Sequence, residues 1–154
     1  MSVKRSIVLR GCPEYNEYGV ANEAIKPGYL VKGVATVSKQ TASVSCPFTV
    51  AVERDELGAG IDDTYYVSGS GAPHAAYASG DTVKVAALDA GDEATVFVAS
   101  GANITEGDYL NSAGNGLFSE VSAAYASGTG PAMAMALETL GAVAVETAVR
   151  VRVI

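Results

Sequence analysis

Residues 81–99, DTVKVAALDAGDEATVFVA, decide the fold class because they hold two apolar, Val-rich runs joined by a turn-forming stretch. The first run, residues 81–88, alternates polar and apolar side chains, and the second covers residues 94–99. A period of two with β-branched residues is typical of β-strands. The acidic, Gly-containing stretch 89–93 between them is typical of a hairpin turn. We therefore predict two strands joined as a β-hairpin.

The same alternation of strand and turn continues along the chain. Turn signals recur about every ten residues, which is the spacing of a β-barrel or sandwich. Asn115-Gly116 is a strong two-residue hairpin turn. Residues 119–127 are predicted as a short helix or a loop, and residues 131–138 alternate Ala with Met or Leu, which favours a strand over a helix. Further strands are expected at 43–53, 103–110, 113–118 and, as one strand or two, 142–154.

The N-terminal twenty residues differ from the rest. Residues 2–9 can pair as a strand, but residues 11–19 contain several breakers, so the segment 1–20 is predicted as an extended arm. Residues 21–154 then form the β domain. Within it, IKPGYL at 25–30 is echoed by ITEGDYL at 104–110, and each is followed about 30 residues later by an apolar strand ending in Glu. If the echo is structural, the domain contains two similar β units.

Size and hydropathy favour a folded chain without membrane contact. The 154 residues are 49% hydrophobic, which is enough to bury a core. No apolar run approaches the roughly 20 residues that a membrane helix needs. The apolar stretch behind the basic N-terminus is too short for a signal peptide. We therefore expect the protein to be cytosolic when it is made.

The charges are unevenly distributed. The net charge is −7, but the first ten and last five residues carry five basic groups and no acid. Residues 11–149 carry 5 basic and 17 acidic groups, a net of −12. An acidic body repels nucleic acid and anionic membrane, so neither is an expected partner. The basic ends either dock on an acidic protein surface or serve as solubilising termini.

Residues able to do chemistry are isolated in the sequence. His74 lies in a predicted loop without a neighbouring carboxylate, and the acids between residues 53 and 63 do not match an EF-hand, so a solvated acidic loop is expected. Cys12 and Cys46 lack the further ligands of a zinc site. They either form a disulfide, which a cytosolic chain of this length does not require, or remain reduced thiols, which is the expectation. The sequence therefore predicts no catalytic residues, no metal, no cofactor and no enzymatic activity.

The order of motifs resembles the small capsid decoration, or cement, proteins of tailed bacteriophages. An I-x-x-G-x-Y-L strand opening is followed by Gly-Asp turns, Ala/Val-rich strands, an A-x-A-L-E segment and an R-V-R-V tail. The likeness runs through nearly the whole chain from residue 21. It is carried by residues 25–30, 48–53, 80–85, 99–110, 133–138 and 149–154.

This resemblance implies an all-β fold, a compact β-barrel of the β-tulip or β-clip-like kind. It also implies a structural role on the capsid exterior of the virion, after assembly in the host cytoplasm. The implied partner is the major capsid protein, whose neighbouring subunits a homotrimer would clamp. The family has no catalytic residues to carry over. With the basic ends and the turn-edge tyrosines, we predict a capsid-binding set of Lys4, Arg5, Arg10, Tyr15, Tyr18, Arg150 and Arg152.

Two other classes stay open at the level of the sequence. A small β-barrel enzyme or ligand-binding domain would need a concave pocket with converging polar groups. A tail or fibre component of a phage would share the β-rich composition and differ in where it assembles.

Overall fold

The computed structural model describes residues 7–41, 48–52, 76–121, 125–126 and 130–154, with the backbone alone at 17–18, 125–126 and 130–131. Within these ranges the regular structure is entirely β, which confirms the predicted class. The strands are β1 Val8–Arg10, β2 Glu14–Ala21, β3 Val31–Lys32, β4 Thr36–Lys39, β5 Phe48–Ala51, β6 Thr82–Leu88, β7 Glu93–Val98, β8 Asn103–Ile104, β9 Tyr109–Gly114, β10 Leu117–Val121, β11 Tyr125–Ala126, β12 Gly130–Pro131, β13 Ala134–Ala136, β14 Gly141–Ala142 and β15 Thr147–Val153.

Two main sheets make up the fold. In the six-stranded sheet, β7 pairs with β15 and also with β10, so the pairings β7–β10–β9–β13–β15 return to β7. β1 extends this sheet from β7. The five-stranded sheet has the order β3-β4-β2-β6-β5, and an isolated bridge from Leu30 to Val50 links its two ends. Two short ribbons, β8–β14 and β11–β12, complete the described pairings.

Two hydrophobic cores follow from the alternation of the strands. Ala94, Val96 and Val98 of β7 point into the larger core, together with residues of β9, β13 and β15. Phe97 of the same strand points into the smaller core, which the five-stranded sheet lines. From Ala94 to Val98, β7 is buried on both faces and lies between the two cores, although its second face also carries Thr95 and, at the strand start, Glu93. Fully burying a Val or Phe side chain stabilises the fold by about 1.5–3 kcal/mol.

A polar contact joins the two sheets beside these cores. The Tyr29 ring lies edge-on to Phe97, with ring centroids 5.9 Å apart. The Tyr29 hydroxyl lies 2.9 and 2.8 Å from the two carboxylate oxygens of Glu146, just before β15. Lys26 Nζ is 3.1 Å from Glu146 Oε1 and completes the network. Burial, then the hydrogen bond and the charge of Glu146, raise the pKa of Tyr29 above its ordinary value of 10.0.

The hairpin predicted across residues 89–93 is wrong. β6 pairs with β2 and β5, whereas β7 pairs with β15, β1 and β10, so this turn carries the chain from one sheet to the other. The turn is held by Asp92, whose carboxylate accepts the Asp89 N–H at 3.0 Å. Gly91 donates its N–H to the carbonyl of Val153 at 2.9 Å. The residues that favour a turn are present, but the turn is anchored on β15 and connects two sheets.

Of the other local predictions, three are confirmed and one is wrong. Asn115 and Gly116 connect β9 to β10 with φ of 53° and 75°, the pair of positive values that a type I′ hairpin turn requires. β13 lies within the segment 131–138 that was predicted as a strand. The C-terminal segment forms two strands, β14 and β15. The helix or loop expected at 119–127 is replaced by the end of β10 and by β11 in its described residues.

The two echoed segments share a backbone arrangement. Gly28 and Gly107 occupy equivalent turns, with φ of 95° and 91°. Gly28 donates its N–H to the carbonyl of Ala51, and Gly107 does the same to Ala136. Ala51 and Ala136 in turn donate their N–H groups to the carbonyls of Tyr29 and Asp108, the residues that follow the two glycines. Each echoed turn is therefore hydrogen-bonded to the strand that follows it, β5 in the first case and β13 in the second.

Most of the predicted arm is part of the sheets. β1 pairs with β7, and β2 lies at the centre of the five-stranded sheet between β4 and β6. Gly11 lies outside β1, and Gly19 lies at a register shift of β2. These two glycines therefore do not prevent strand pairing. Residues 8–10 and 14–20 of the predicted arm are therefore strand residues of the two main sheets, and residues 1–6 lie outside the described ranges.

Candidate functional site

Strand register brings three of the predicted arginines together on the six-stranded sheet. Arg10 on β1 and Arg152 on β15 both lie opposite Glu93 on β7. Directly opposed residues of antiparallel strands project from the same face, as Glu93 and Arg152 do. Arg10 lies opposite Glu93 at a register shift of β1 and extends this pair into a cross-strand row. Arg150 lies two residues before Arg152, and its side chain is 57% exposed. The sequence placed these arginines at opposite ends of the chain, and the sheet makes them neighbours.

Two carboxylates hold the C-terminal arginines in place. Arg152 donates to Glu93 Oε1 from Nη2 at 2.7 Å and from Nε at 3.3 Å. Arg150 donates its backbone N–H to Glu138 Oε1 at 2.8 Å and its Nε–H to Oε2 at 3.3 Å. These contacts orient the guanidinium groups on the sheet. They also give both arginines a structural role within the chain.

The arginines shift the ionisation of Glu93. The hydrogen bond from Arg152 holds the pKa of the Glu93 carboxyl below its ordinary value of 4.5. Partial burial opposes this effect, and the positive charges of Arg152, Arg10 and Arg150 add to it. Glu93 is therefore ionised at neutral pH and stays paired with Arg152.

The cross-strand row continues into an apolar half that sequence reasoning missed. Met135 on β13 lies opposite Arg152 and, on its other side, opposite Tyr109 on β9. Tyr109 in turn lies opposite Val121 on β10. Tyr109 is 36% exposed, and Met135 and Val121 are half-buried. Alternation within β13 signals that Met135 points away from the core, but its neighbours depend on register.

The other predicted residues do not join this row. Tyr15 is on β2 in the five-stranded sheet, 48% exposed, with Lys84 Nζ 4.8 Å from its ring centroid. Tyr18 is also on β2, and its side chain lies outside the described structure. Lys4 and Arg5 lie outside the described residues. The structure thus brings together Arg10, Arg150 and Arg152 and places Tyr15 in the other sheet.

The described residues contain no group of three or more side chains suited to hold a metal ion. Cys12 is an exposed free thiol, while Cys46, His74 and the acidic stretch 53–63 lie outside the described ranges. In the part of the chain that the structure describes, no helix is long and apolar enough to cross a membrane.

Comparison with known proteins identifies a similar fold. No known family model matches the chain, and no curated protein matches it. Among solved structures, it is similar to the crystal structure of the N base of head fiber gp8.5 in bacteriophage phi29, with a TM-score of 0.55. The similarity covers 93% of this chain and 93% of the phage chain, at 11% sequence identity. The chain therefore shares the fold of this base over nearly its whole length.

Proposed function

We propose that this chain is a structural protein of a phage head, a decoration or cement protein without enzymatic activity. In this role it binds the outer surface of the head and stabilises contacts between neighbouring subunits of the major capsid protein. The observation that carries the proposal is the shared fold with a phage head fiber base, which extends over 93% of both chains.

The surface chemistry supports a binding role. Arg10, Arg150 and Arg152 are gathered on one sheet of a chain whose net charge is −7. Arginine in a fixed orientation is frequent in protein interfaces because its planar group donates several directed hydrogen bonds. The acidic remainder of the chain disfavours nucleic acid and anionic lipid as partners.

A single small contact with the shell gives low affinity, and several linked contacts raise it. We propose that the chain acts as a homotrimer, so that one assembly engages several capsid subunits together. Linked contacts raise the overall affinity without requiring a deep pocket in each subunit. Located on the capsid exterior, such trimers would oppose separation of the subunits that they bridge.

A second candidate is favoured by the same structural neighbour. That protein is described as the base of a head fiber, so this chain could equally form the base of a fibre or another projecting component. The two roles differ in what the bound chain does to the head. A cement protein raises the stability of the shell, whereas a fibre base attaches a projection without that effect.

The test uses heads of the phage that encodes the chain, prepared from a deletion of its gene. Purified full-length chain is added back, bound protein is measured by gradient sedimentation, and release of packaged DNA is followed on heating. Light scattering of the free chain gives its oligomeric mass. We expect saturable binding, a trimeric mass and DNA release at higher temperature.

Binding without a change in DNA release would favour the fibre base. Absence of binding at micromolar chain concentration would overturn both candidates.

A further inference from the structure

We infer that the outer face of the six-stranded sheet is the docking surface, and that it recognises a shell protein surface presenting carboxylates beside apolar side chains. We call it the Arg–Tyr face, formed by Arg10, Arg152, Met135, Tyr109 and Val121 with the adjacent Arg150. The inference rests on the proposed function and names the face that performs it.

The face follows from one continuous cross-strand row. From β1 to β10, the opposed residues run from Arg10 through Glu93 and Arg152 to Met135, then to Tyr109 and Val121. In this row, the residues from Glu93 to Val121 project away from the larger core, whose members alternate with them along the strands. Arg10 lies opposite Glu93 after a register shift in β1. The row therefore follows the outside of the ring of strands, with charged side chains on β1, β7 and β15 next to apolar side chains on β13, β9 and β10.

The composition of the face is that of a protein interface. Tyr, Met and Arg are the residue types enriched in interfaces, and Tyr and Arg dominate their affinity. Tyr109 is 36% exposed, and the side chain of Arg152, beside Met135, is 44% exposed. A partly exposed apolar stripe bordered by charged groups marks an interaction site more often than an isolated exposed residue does.

The charged half determines what the partner must present. Arg150 contacts Glu138 through Nε, and a guanidinium carries five N–H donors, so donors remain for a partner. Glu93 and Glu138 hold these groups in position before binding, which reduces the entropy lost on association. Oriented guanidinium groups favour carboxylates as acceptors.

Three occupants compete for such a face, and two are disfavoured. Nucleic acid would bring phosphates against a chain of net charge −7 that has Glu93 and Glu138 within the face. A second copy docked through the same face across a two-fold axis would oppose arginines with arginines, and the contacts of the proposed trimer join two different patches of the chain. A different protein surface with carboxylates and apolar side chains satisfies both halves.

The test compares two matched double variants on deletion-prepared heads. Arg150→Ala/Tyr109→Ala removes one residue from each half of the Arg–Tyr face. Lys32→Ala/Val34→Ala removes an exposed cation and an exposed apolar residue from the β3–β4 region of the other sheet. Arg10→Gln is a third variant, and it leaves the Arg150–Glu138 and Arg152–Glu93 ion pairs intact. Denaturation midpoints establish that each variant is folded before binding is measured.

We expect the Arg150→Ala/Tyr109→Ala variant, called the face variant, to bind heads at least about tenfold more weakly, in line with the loss of interface hot spots. We expect Arg10→Gln to weaken binding less, and the control variant to bind as the unmodified chain does. Added salt should weaken binding of the unmodified chain, since exposed charges are screened.

Several outcomes would overturn the inference. Unaltered binding by a folded face variant, or by Arg10→Gln when the double variant does not fold, refutes the Arg–Tyr face and leaves the proposed function standing. Failure of the unmodified chain to bind heads refutes both. A lower oligomeric mass of the free face variant identifies a second copy as the occupant and also refutes the inference.

Discussion

The hydroxyl group of Tyr29 lies 2.9 and 2.8 Å from the two carboxylate oxygens of Glu146, and this contact joins the five-stranded sheet to the segment that leads into β15. Tyr29 is 7% exposed, and Lys26 and Lys39 lie 5.8 and 5.9 Å from its ring centroid. The pairing of the two sheets therefore includes a charged hydrogen bond as well as the Phe97 contact.

Replacing Tyr29 by Phe removes the hydrogen bond and keeps the ring. We expect Tyr29→Phe to lower the free energy of unfolding by about 1.5–3 kcal/mol, the range for hydrogen bonds to charged groups. Denaturant titration measures this change. Tyr15→Phe is the matched control, because its ring lies exposed on β2 and should change stability by less than about 0.5 kcal/mol. Equal stability of Tyr29→Phe and the unmodified chain would refute the role of this contact.

Alkaline pH should weaken the same contact. The pKa of Tyr29 is raised in the folded chain, so the folded state binds this proton more tightly than the unfolded state does. The stabilisation is fully present below the ordinary pKa of 10.0 and is lost as pH rises towards the folded value. Denaturant titrations from pH 8 to 11 should show a decline that is smaller in Tyr29→Phe. Parallel declines in the two proteins would contradict the assignment.

Acidic pH should weaken the ion pair between Glu93 and Arg152, whereas alkaline pH weakens the Tyr29 contact. Its pKa is lowered by Arg152, so the contribution of the pair is present above the ordinary value of 4.5 and is lost as pH falls through the folded value. We expect NMR titration to show that the pKa of Glu93 rises in Arg152→Gln. The same titration in Lys32→Gln provides the control, since Lys32 is on β3 in the other sheet. An unchanged pKa in Arg152→Gln would show that the ion pair is absent in solution.

The echoed glycines differ in what surrounds them. A Cβ on Gly28 would lie 2.8 Å from Cε2 of Phe97, whereas a Cβ on Gly107 would meet nothing within 4 Å. Both have positive φ, which costs an L-residue about 1–2 kcal/mol. Gly28→Ala should lose a further 1–3 kcal/mol, roughly, from overpacking against Phe97. Thermal or denaturant unfolding of the two variants tests this, and equal losses would refute the steric difference.

The sequence predicted the elements whose signals are local. β6 and β7 follow from alternation, and the Asn115-Gly116 turn follows from the two positive φ values that its residues tolerate. The predicted hairpin between β6 and β7 is wrong because a turn containing Gly and Asp has the same local sequence in a hairpin as in a connection between two sheets. Its distinguishing contact, from Gly91 to Val153, joins residues 62 positions apart.

The candidate site was only partly predictable for the same reason. Arg150 and Arg152 are close together in the sequence, and the charge of Arg10 predicts the same capsid-binding role for it. That Arg10 and Arg152 lie on either side of Glu93 depends on register between distant strands. Register likewise places Met135 beside Tyr109, a pairing that no local pattern in the sequence indicates.

The most direct test of the account is electron cryomicroscopy of deletion-prepared heads before and after the unmodified chain is added. We predict new density on the outside of the shell into which the described β fold fits, with the Arg–Tyr face against major capsid subunits. Density in which that face points to solvent would contradict the docking surface. Heads that gain no density would contradict the central claim that the chain binds the phage head.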